Sequence, residues 1–543
     1  MKLLLGPILH LENGTASDWC FSVHVVIESA SATPPLALKL RFDSGDVTVG
    51  ALTLVADFSK ANGSAIWCWS VRVPRGPREQ WLGYKLLNRG KTIATIDNVA
   101  IPATSHLPRL AFFSCNGFSS ADLRRKTAEP NALWRQMRIE HETGKSGGDP
   151  DCPSGVHALV GGGDQVYADS LDVLQELDKL SEDELRGATS SPARRKTALS
   201  QYLALYQERW SQTDPAYVFA RVPGVFTWDD HDIFDGWGSQ HDFVQKNAAY
   251  RDIYEAARDA FSALQLGGWL ASAAGGRRPS LLCSGSATRT TGHLAQTITF
   301  YADEQELTFF LLDSRSGRTN ERVFDEAQWT DFKKFLTDRG QAAIDEACHL
   351  LVVSSIPLVH LRFRAVSWIL SNVVPGVQEI EDDLLDQWEH PAHLGERSRL
   401  LHTLLDHQRA SGTRVTLLSG DVHAGAVGHI ESTRATHREP NSLVPARIVQ
   451  LTSSGIVHPS PNTWLRGVLE LLGADGKKEF DPGMTTELVP IDSRTERLWT
   501  RNFLFIDVES TSGGAPSQLW ARFVAEDWPI TRLITVPVWD YGR

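Results

Sequence analysis

Six short apolar segments in this sequence end in polar turns, and helical stretches intervene among them. The segments are LPRLAFFS, HALVGGGD, VPGVFTWDD, LTFFLLDS, HLLVVSSIP and RVTLLSGD, and the helical stretches fall at residues 171–186, 194–212, 243–264, 325–338 and 396–411. Short apolar runs bounded by turns are typical of buried strands, and their alternation with helices predicts a layered α/β fold. In such folds, functional side chains lie at the carboxyl ends of the strands.

The first 105 residues have a different pattern, in which short segments alternate apolar and polar residues. These segments are Cys20–Ile27, Leu36–Phe42, Ile66–Val73, Trp81–Leu87 and Thr92–Ile96, separated by turns such as ENG, ANG, RGP and NRG. This spacing predicts an all-β, Ig-like sandwich. We therefore predict an accessory domain over 1–105 and a catalytic domain over 106–543, a β-sandwich flanked by helices. Residues 361–395 are predicted to form a helical insertion that caps a site, and 265–295 an irregular loop.

The charge and the apolar runs exclude several classes of protein. The 543 residues carry a formal net charge of −12, which disfavours non-specific nucleic-acid binding, because that needs a positive field. No apolar run approaches the roughly 20 residues that span a bilayer. The N-terminal segment MKLLLGPILHLENG lacks a signal-peptide core, a cleavage site and a twin-arginine motif, so we predict a first strand there and a cytoplasmic protein. Six cysteines in so long a chain do not form a disulfide framework, and Cys20 and Cys68 are predicted to be buried thiols.

Four of the predicted strand-end turns carry side chains that bind metal ions. They are SCN with Cys115 and Asn116, GGGDQVY with Asp164 and Tyr167, WDDHD with Asp229, Asp230, His231 and Asp232, and SGDVH with Asp421 and His423. Because the carboxyl ends of neighbouring strands converge, we expect these residues to meet in one crevice. Thiolate, phenolate and imidazole suit iron, and carboxylates suit a hard divalent ion. Two ions about 3.5–4 Å apart clamp a phosphoryl group and activate water near neutral pH.

Each of these motifs taken alone has a simpler structural explanation. An acid such as Asp164 at a strand end is often the N-cap of the following helix, and Tyr167 alone is typical of a half-buried core phenol. Cys115 alone is typical of a small buried hydrophobic residue. The WDDHD motif alone fits a solvated acidic turn, which Trp228 and the IFDGWG segment after it disfavour. Four such turns, each at a strand end, favour a shared metal site.

The motifs GGGDQVYAD, TWDDHDIFDGWGS and SGDVHAG resemble those of a known family of hydrolases. This family is the alkaline phosphatase D (PhoD-like) branch of the calcineurin-like metallophosphoesterases, and the resemblance covers roughly residues 105–510. The general superfamily pattern is D-x-H, G-D-x-x-D, G-N-H-E/D, a lone His and G-H-x-H. In the branch resembled here, a Cys replaces the first acid, a Tyr follows the bridging Asp as in purple acid phosphatases, and G-D-x-H replaces G-H-x-H. The resemblance implies a metallophosphoesterase-type sandwich with a multi-metal centre.

The resemblance also implies which residues hold the ions. The first set, for ferric iron, is Cys115, Tyr167 and His423; the second, for one or more divalent ions with calcium favoured, is Asp230 and Asp421. Asp164 would bridge the two sets. His231 occupies the place of the superfamily histidine that contacts the phosphate. Because imidazole changes charge near neutral pH, His231 is the predicted acid for the leaving oxygen.

Weaker arguments assign the remaining polar residues. Arg315 in LLDSRSGR resembles the D-x-R turn of the family, and it either forks onto phosphate oxygens or pairs with Asp313 or Asp325 for structure. Further candidates that support the ligands or line the pocket are Asn116, Asp229, Asp232 and His458. For Asp229, direct ligation of an ion is an alternative.

These features predict a hydrolase of small phosphate esters, monoesters or diesters or both, that acts through a metal-bound hydroxide. No covalent intermediate is expected, since the sequence has no G-x-S-x-G nucleophile motif. The alternative is a scaffold or binding protein built on an inactive metallophosphoesterase domain, for which the extra β domain and the 361–395 insertion are suitable parts. A zinc hydrolase of another bond is disfavoured, because no H-E-x-x-H motif occurs.

Overall fold

The structure, a computed structural model, describes most of the chain. The described residues are 2–28, 33–42, 45–147, 154–240, 242–268, 280–281, 292–303, 305–342, 347–360, 387–432, 446–461, 466, 477–491, 496–509, 518–526 and 532–536. The predicted loop at 265–295 and the predicted insertion at 361–395 lie mostly outside these residues.

The described elements alternate strands and helices after an initial series of strands. The strands are β1 Leu3–Leu11, β2 Asp18–Glu28, β3 Leu36–Phe42, β4 Gly45–Thr48, β5 Thr53–Phe58, β6 Ser64–Pro74, β7 Gln80–Asn88, β8 Lys91–Ile101, β9 Leu110–Phe113, β10 Ala158–Gly162, β11 Gly224–Thr227, β12 Ser280–Leu281, β13 Gln296–Ala302, β14 Gln305–Leu311, β15 Ala347–Ser354, β16 Arg414–Ser419, β17 Gly425–Ser432, β18 Ala446–Thr452, β19 Lys478–Asp481, β20 Met484–Val489, β21 Arg497–Leu498, β22 Asn502–Glu509, β23 Gln518–Ala525 and β24 Arg532–Val536. The helices are α1 Ala121–Lys126, α2 Ala132–Gly147, α3 Asp172–Leu177, α4 Glu182–Arg186, α5 Pro192–Trp210, α6 Thr213–Phe219, α7 Asp242–Lys246, α8 Ala248–Leu264, α9 Glu326–Ala342 and α10 Leu394–Ser411.

Local sequence signals explain where the long helices begin and end. Helix α5 starts after Ser191, whose side chain accepts the Arg194 N–H, and has Pro192 in its first turn, where proline is well tolerated. Helix α10 ends at Gly412 with φ of 77°, the left-handed conformation that glycine adopts at low cost. All five predicted helical stretches are confirmed. The stretch 171–186 contains two helices, α3 and α4, and the stretch 243–264 is divided between α7 and α8.

The first large sheet joins the predicted catalytic strands to strands from the N-terminal region. Its order is β24-β23-β22-β9-β10-β11-β1-β2-β6-β5. Strands β9, β10 and β11 are parallel, with Val160 beside Phe112 and Val225. Strand β1 pairs in parallel with β11 through His10 and Gly224. An all-β N-terminal region over β1–β8 is present, whereas its Ig-like architecture and the boundary near residue 105 stay predictions.

Two further sheets complete the described part of the fold. The second large sheet runs β12-β13-β14-β15-β16-β18-β17-β20-β19, with β21 beside β17. Within it, β14, β15, β16 and β18 are parallel neighbours. A four-stranded sheet of order β4-β3-β7-β8 is antiparallel throughout. The four strands that lead to the predicted metal-binding turns, β9, β10, β11 and β16, are among the parallel strands of the two large sheets.

Successive side chains on the central strands belong to two different apolar cores, one between the two sheets and one between a sheet and its helices. On β9, Leu110 and Phe112 belong to the apolar core between the sheets, whereas Ala111 and Phe113 belong to the core beneath α2, α5 and α8. On the second large sheet, alternate residues of β14 face the inter-sheet core and the core under α9 and α10. Because successive side chains of a strand point to opposite faces, this pattern produces a layered α/β sandwich. Within the described residues, no helix is long and apolar enough to cross a membrane.

Candidate metal centre

Seven strands of the two large sheets end at one place. The first sheet contributes Cys115 after β9, Asp164 after β10 and the segment Asp229–Asp232 after β11; the second contributes Arg315 after β14, Ser355 after β15, Asp421 and His423 after β16 and Ser454 after β18. Direct contacts join the two groups. Cys115 Sγ lies 3.1 Å from Ser454 Oγ, and the Ser355 hydroxyl donates to Asp229 at 2.9 Å. The structure therefore brings the four predicted turns together.

The backbone at the ends of these strands is unusual. Cys115, Asp164, Asp421 and His423 have φ values of 53°, 54°, 67° and 51°. A left-handed conformation costs a residue with a β-carbon roughly 1–2 kcal/mol, and such strain tends to concentrate at functional sites. Half of the non-glycine residues with positive φ in the described chain belong to this one cluster. Their side chains are therefore held at an energetic cost.

Four carboxylates form the centre of the cluster. Single oxygens from Asp164, Asp229, Asp230 and Asp421 all lie within 4.8 Å of one another. Asp164 is buried, and its Oδ1 accepts no hydrogen bond from the described residues. Burial is the main reason that the pKa of Asp164 lies well above its usual value, and the neighbouring carboxylates of Asp229 and Asp230 add to the shift. Because buried acids in such proximity are costly without a cation, this group fits a metal site.

The thiol and phenol predicted to bind iron lie beside the same carboxylate. Cys115 Sγ is 3.6 Å from Asp164 Oδ2, and the Tyr167 hydroxyl is 3.5 Å from that oxygen. Both side chains are buried. Burial, followed by the charge of nearby anions, raises the pKa of the Cys115 thiol and of the Tyr167 phenol. A cation between these groups would lower both pKa values, because it stabilises the thiolate and the phenolate.

Three histidine rings and Tyr167 form a continuous stack along one wall of the site. The Tyr167 ring lies 4.2 Å from that of His231 and 5.4 Å from that of His458, and the rings of His458 and His423 are 3.8 Å apart. Burial lowers the pKa of His423 well below its usual value and that of His458 to about 3. Neutral imidazole is the form that binds metal ions. Nδ1 of His423 is buried and has no hydrogen-bond partner among the described residues, as expected of a nitrogen available to a cation.

His231 is oriented by an acid that the sequence interpretation did not single out. Its Nδ1 lies 2.9 Å from both carboxylate oxygens of Asp169, which also accepts the Asp235 N–H at 2.9 Å. A ring nitrogen of His231 lies within 4.8 Å of oxygens of Asp164 and Asp230. The available signal was the position of Asp169 at the end of GGGDQVYAD, two residues after the predicted phenol ligand.

Arg315 neutralises part of the acidic cluster. Its guanidinium is fully buried and donates from Nε to Asp229, from Nη2 to Asp230 at 3.1 Å and from Nη1 to the Trp237 carbonyl at 3.0 Å. The sequence interpretation considered structural pairing with Asp313 or Asp325, and the Asp313 carboxylate accepts the Arg315 backbone N–H at 3.1 Å. The predicted contact of Arg315 with phosphate oxygens stays a prediction.

Asp232 ties two of the turns to each other. Its Oδ1 accepts the backbone N–H groups of Gln165 at 3.1 Å and Val166 at 3.3 Å, and its Oδ2 accepts the Asp229 N–H at 3.0 Å. Burial raises the pKa of Asp232 to about 7. This carboxylate is thus occupied by protein donors, which fits the predicted supporting position.

Asn116 and His458 also support the site from its edge. Asn116 Oδ1 accepts from Trp134 Nε1 and Arg209 Nη2, both at 2.8 Å, and the Asn116 N–H donates to the Asp164 carbonyl at 2.7 Å. His458 Nε2 lies 3.2 Å from Ser119 Oγ, and its ring covers that of Tyr167. Asn116 and His458 thus lie beside the proposed ligands, and their supporting or pocket-lining assignments stay predictions.

Comparisons with known proteins place these features in a family context. Residues 105–269 and 362–480, together more than half of the chain, match the model of the PhoD related phosphatase family. An uncharacterized protein of Saccharomyces cerevisiae is 24% identical over 501 residues, which cover 80% of this chain and 68% of that protein.

Solved structures are similar at low sequence identity. A structure of PhoD matches with a TM-score of 0.54 and 12% identity, covering 97% of this chain and 88% of that one. A purple acid phosphatase from yellow lupin (Lupinus luteus) seeds matches with a TM-score of 0.47 and 12% identity, covering 96% of this chain and 71% of that one. The PhoD likeness supports the mixed α/β fold.

Proposed function

Because the chain belongs to the PhoD-related phosphatase family, we propose that it is a metal-dependent hydrolase of phosphate esters, acting on monoesters, diesters or both. The observation that carries this proposal is the cluster of four carboxylates whose oxygens lie within 4.8 Å of one another. Three of these carboxylates are buried and Asp421 is half-buried, so cations are needed to compensate the charge of the cluster. The thiol, phenol and imidazole beside it supply the further donors that a trivalent ion prefers.

We assign ferric iron to Cys115, Tyr167 and His423, and calcium or another divalent ion to the second set, Asp230 and Asp421. Asp164 is proposed to bridge the two positions. This assignment is supported by the 3.6 Å and 3.5 Å distances from Asp164 Oδ2 to the sulfur and the phenol oxygen, and by the Oδ1 of the same carboxylate, which has no hydrogen-bond partner among the described residues. When bound, ions of this kind polarise a phosphoryl group and lower the pKa of water to near neutral values.

The side chains around the ions are proposed to orient the ester and move one proton. Since Nδ1 of His231 faces Asp169, the proton for the leaving oxygen is carried on Nε2. Arg315 offsets part of the negative charge of Asp229 and Asp230. The stacked rings of Tyr167 and His458 are proposed to line one side of the substrate site.

The test replaces the proposed bridging acid by its isosteric amide. Asp164→Asn is expected to lose bound metal and to lower turnover of p-nitrophenyl phosphate and of bis(p-nitrophenyl) phosphate by more than about 100-fold. Asp303→Asn is the matched control, because Asp303 also has a positive φ, of 45°, and lies away from the site in the turn between β13 and β14.

Elemental analysis of the purified wild-type protein separates this proposal from the inactive-scaffold alternative. The hydrolase is expected to retain iron and a divalent ion and to show a tyrosinate-to-iron band in the visible spectrum. A wild-type protein without metal and without turnover of either ester would favour the scaffold. Near-wild-type turnover by Asp164→Asn would overturn the bridging assignment.

A further inference from the structure

Two adjacent serines follow β18 and differ in what their hydroxyls contact. Ser453 and Ser454 are both fully buried. The Ser453 hydroxyl donates to Asn502 Oδ1 at 2.8 Å. The Ser454 hydroxyl lies 3.1 Å from Cys115 Sγ and accepts the backbone N–H of His423 at 2.9 Å. Ser454 therefore contacts two of the proposed iron ligands, which come from different sheets.

The direction of the hydrogen bond at the sulfur follows from the available protons. A thiolate has no proton to donate, so the Ser454 hydroxyl is the donor whenever Cys115 is ionised. The oxygen of the same hydroxyl is already accepting from His423, which directs its proton away from that residue. A second hydroxyl, that of Ser114, lies 3.4 Å from the sulfur, but it donates to the Ser453 carbonyl at 3.1 Å.

We propose that Ser454 is a positioning residue that sets the donor strength of the Cys115 thiolate and the distance of His423 from it. The inference rests on the proposed function, because it requires Cys115 to bind a metal ion. Hydrogen bonds to a ligating sulfur withdraw electron density from it and tune the bound metal. Through Ser454, the turn after β18 would make the ion at Cys115 a stronger Lewis acid than an isolated thiolate would allow.

The experiment uses Co²⁺ as a spectroscopic probe in the full-length protein after removal of its native metal. Thiolate-bound cobalt has a sulfur-to-metal charge-transfer band, which is read without any turnover. In Ser454→Ala the sulfur becomes more electron-rich, so the band is expected to move to longer wavelength. Ser453→Ala, the matched control, is expected to keep the wild-type band, because its hydroxyl contacts Asn502 and not the sulfur.

Ser454→Thr keeps a hydroxyl at this position and is expected to restore the wild-type band. Circular dichroism of each variant reports whether it is folded. If folded Ser454→Ala loses cobalt binding while Ser454→Thr retains it, the result also supports the inference, because the hydroxyl is then what maintains the site. Equal band positions in Ser454→Ala and Ser453→Ala would overturn it, as would a folded Ser454→Thr variant that behaves like Ser454→Ala. A wild-type protein that binds Co²⁺ without the band would instead remove Cys115 from the proposed ligands, and this inference with it.

Discussion

The contact between His231 and Asp169 is the one on which the proposed proton transfer depends. Burial by itself lowers the pKa of His231, but the charges of Asp169 and Asp230 outweigh burial and raise that pKa well above its usual value. The Asp169 carboxylate at Nδ1 thus favours the protonated form of the imidazole. This is the state that a general acid needs before it protonates a leaving oxygen.

At the scale of this residue pair, we predict that Asp169→Asn lowers kcat by an amount that depends on the leaving group of the ester. For an alkyl phosphate, whose leaving oxygen needs a proton, we expect a loss of about 10- to 100-fold. For p-nitrophenyl phosphate, whose leaving group is stable as an anion, we expect a much smaller loss. The measurement is kcat for both esters, with Asp172→Asn on the exposed start of α3 as the control. Equal losses for the two esters would contradict the general-acid role of His231.

At the scale of secondary-structure elements, the turn after β10 shows how closely two strand ends approach. Gly163 has φ of 109°, and a β-carbon there would lie 2.8 Å from Asp229 Cβ and 3.1 Å from Ser355 Cβ. Three strand ends, those of β10, β11 and β15, thus meet with no room for a methyl group. The spacing of the carboxylates depends on this close approach.

We predict that Gly163→Ala lowers both stability and metal content, whereas Gly90→Ala lowers stability alone. Gly90 also has a positive φ, of 78°, but a β-carbon there would contact nothing within 4 Å. Gly90→Ala is the control and is expected to lose only the backbone cost, roughly 1–2 kcal/mol of unfolding free energy. In Gly163→Ala, crowding of the added methyl group should cost about 1–3 kcal/mol more. Urea unfolding and elemental analysis measure the two effects. Full metal content in Gly163→Ala would show that the ligands do not need this approach.

At the scale of the whole molecule, Glu79 links the start of β7, in the four-stranded sheet, to the first large sheet. It precedes β7 and accepts hydrogen bonds from the Ser154 hydroxyl at 2.6 Å and the Gly155 N–H at 3.0 Å, next to the start of β10. His157 Nε2 lies 2.8 Å from its Oε1. Burial by itself raises the pKa of Glu79, but the contacts with His157 and Ser154 outweigh it and lower that pKa to about 2.

The lowered pKa predicts how stability changes with pH. The stabilisation from ionised Glu79 is complete above the unfolded-state pKa of 4.5 and is lost as the pH falls through about 2. We expect Glu79→Gln to lose about 1–3 kcal/mol of unfolding free energy at neutral pH, and the difference from wild type to shrink below pH 4.5. Urea unfolding at several pH values measures it, with the exposed Glu28→Gln as control. A difference that does not change with pH would contradict the assigned contact.

The sequence by itself determined the order of the strands that lead to the four predicted turns and the residue types at the ends of these strands. The segment HALVGGGD predicted β10 followed by Asp164, and RVTLLSGD predicted β16 followed by Asp421. These predictions succeed because the periodicity of apolar side chains and the turn-forming residues are local properties of the chain. The family resemblance rests on the same local motifs.

Only the tertiary structure decided which partners these elements and residues have. The pairing of β1 with β11 and the contacts of Ser454 with Cys115 join positions far apart in the chain. The two aspartates that Arg315 binds are not the neighbours that its own motif suggested. Such contacts depend on which surfaces meet when the core excludes water, and no local pattern encodes that choice. The sequence thus determines which donors are present, and packing determines which of them share a proton, a charge or an ion.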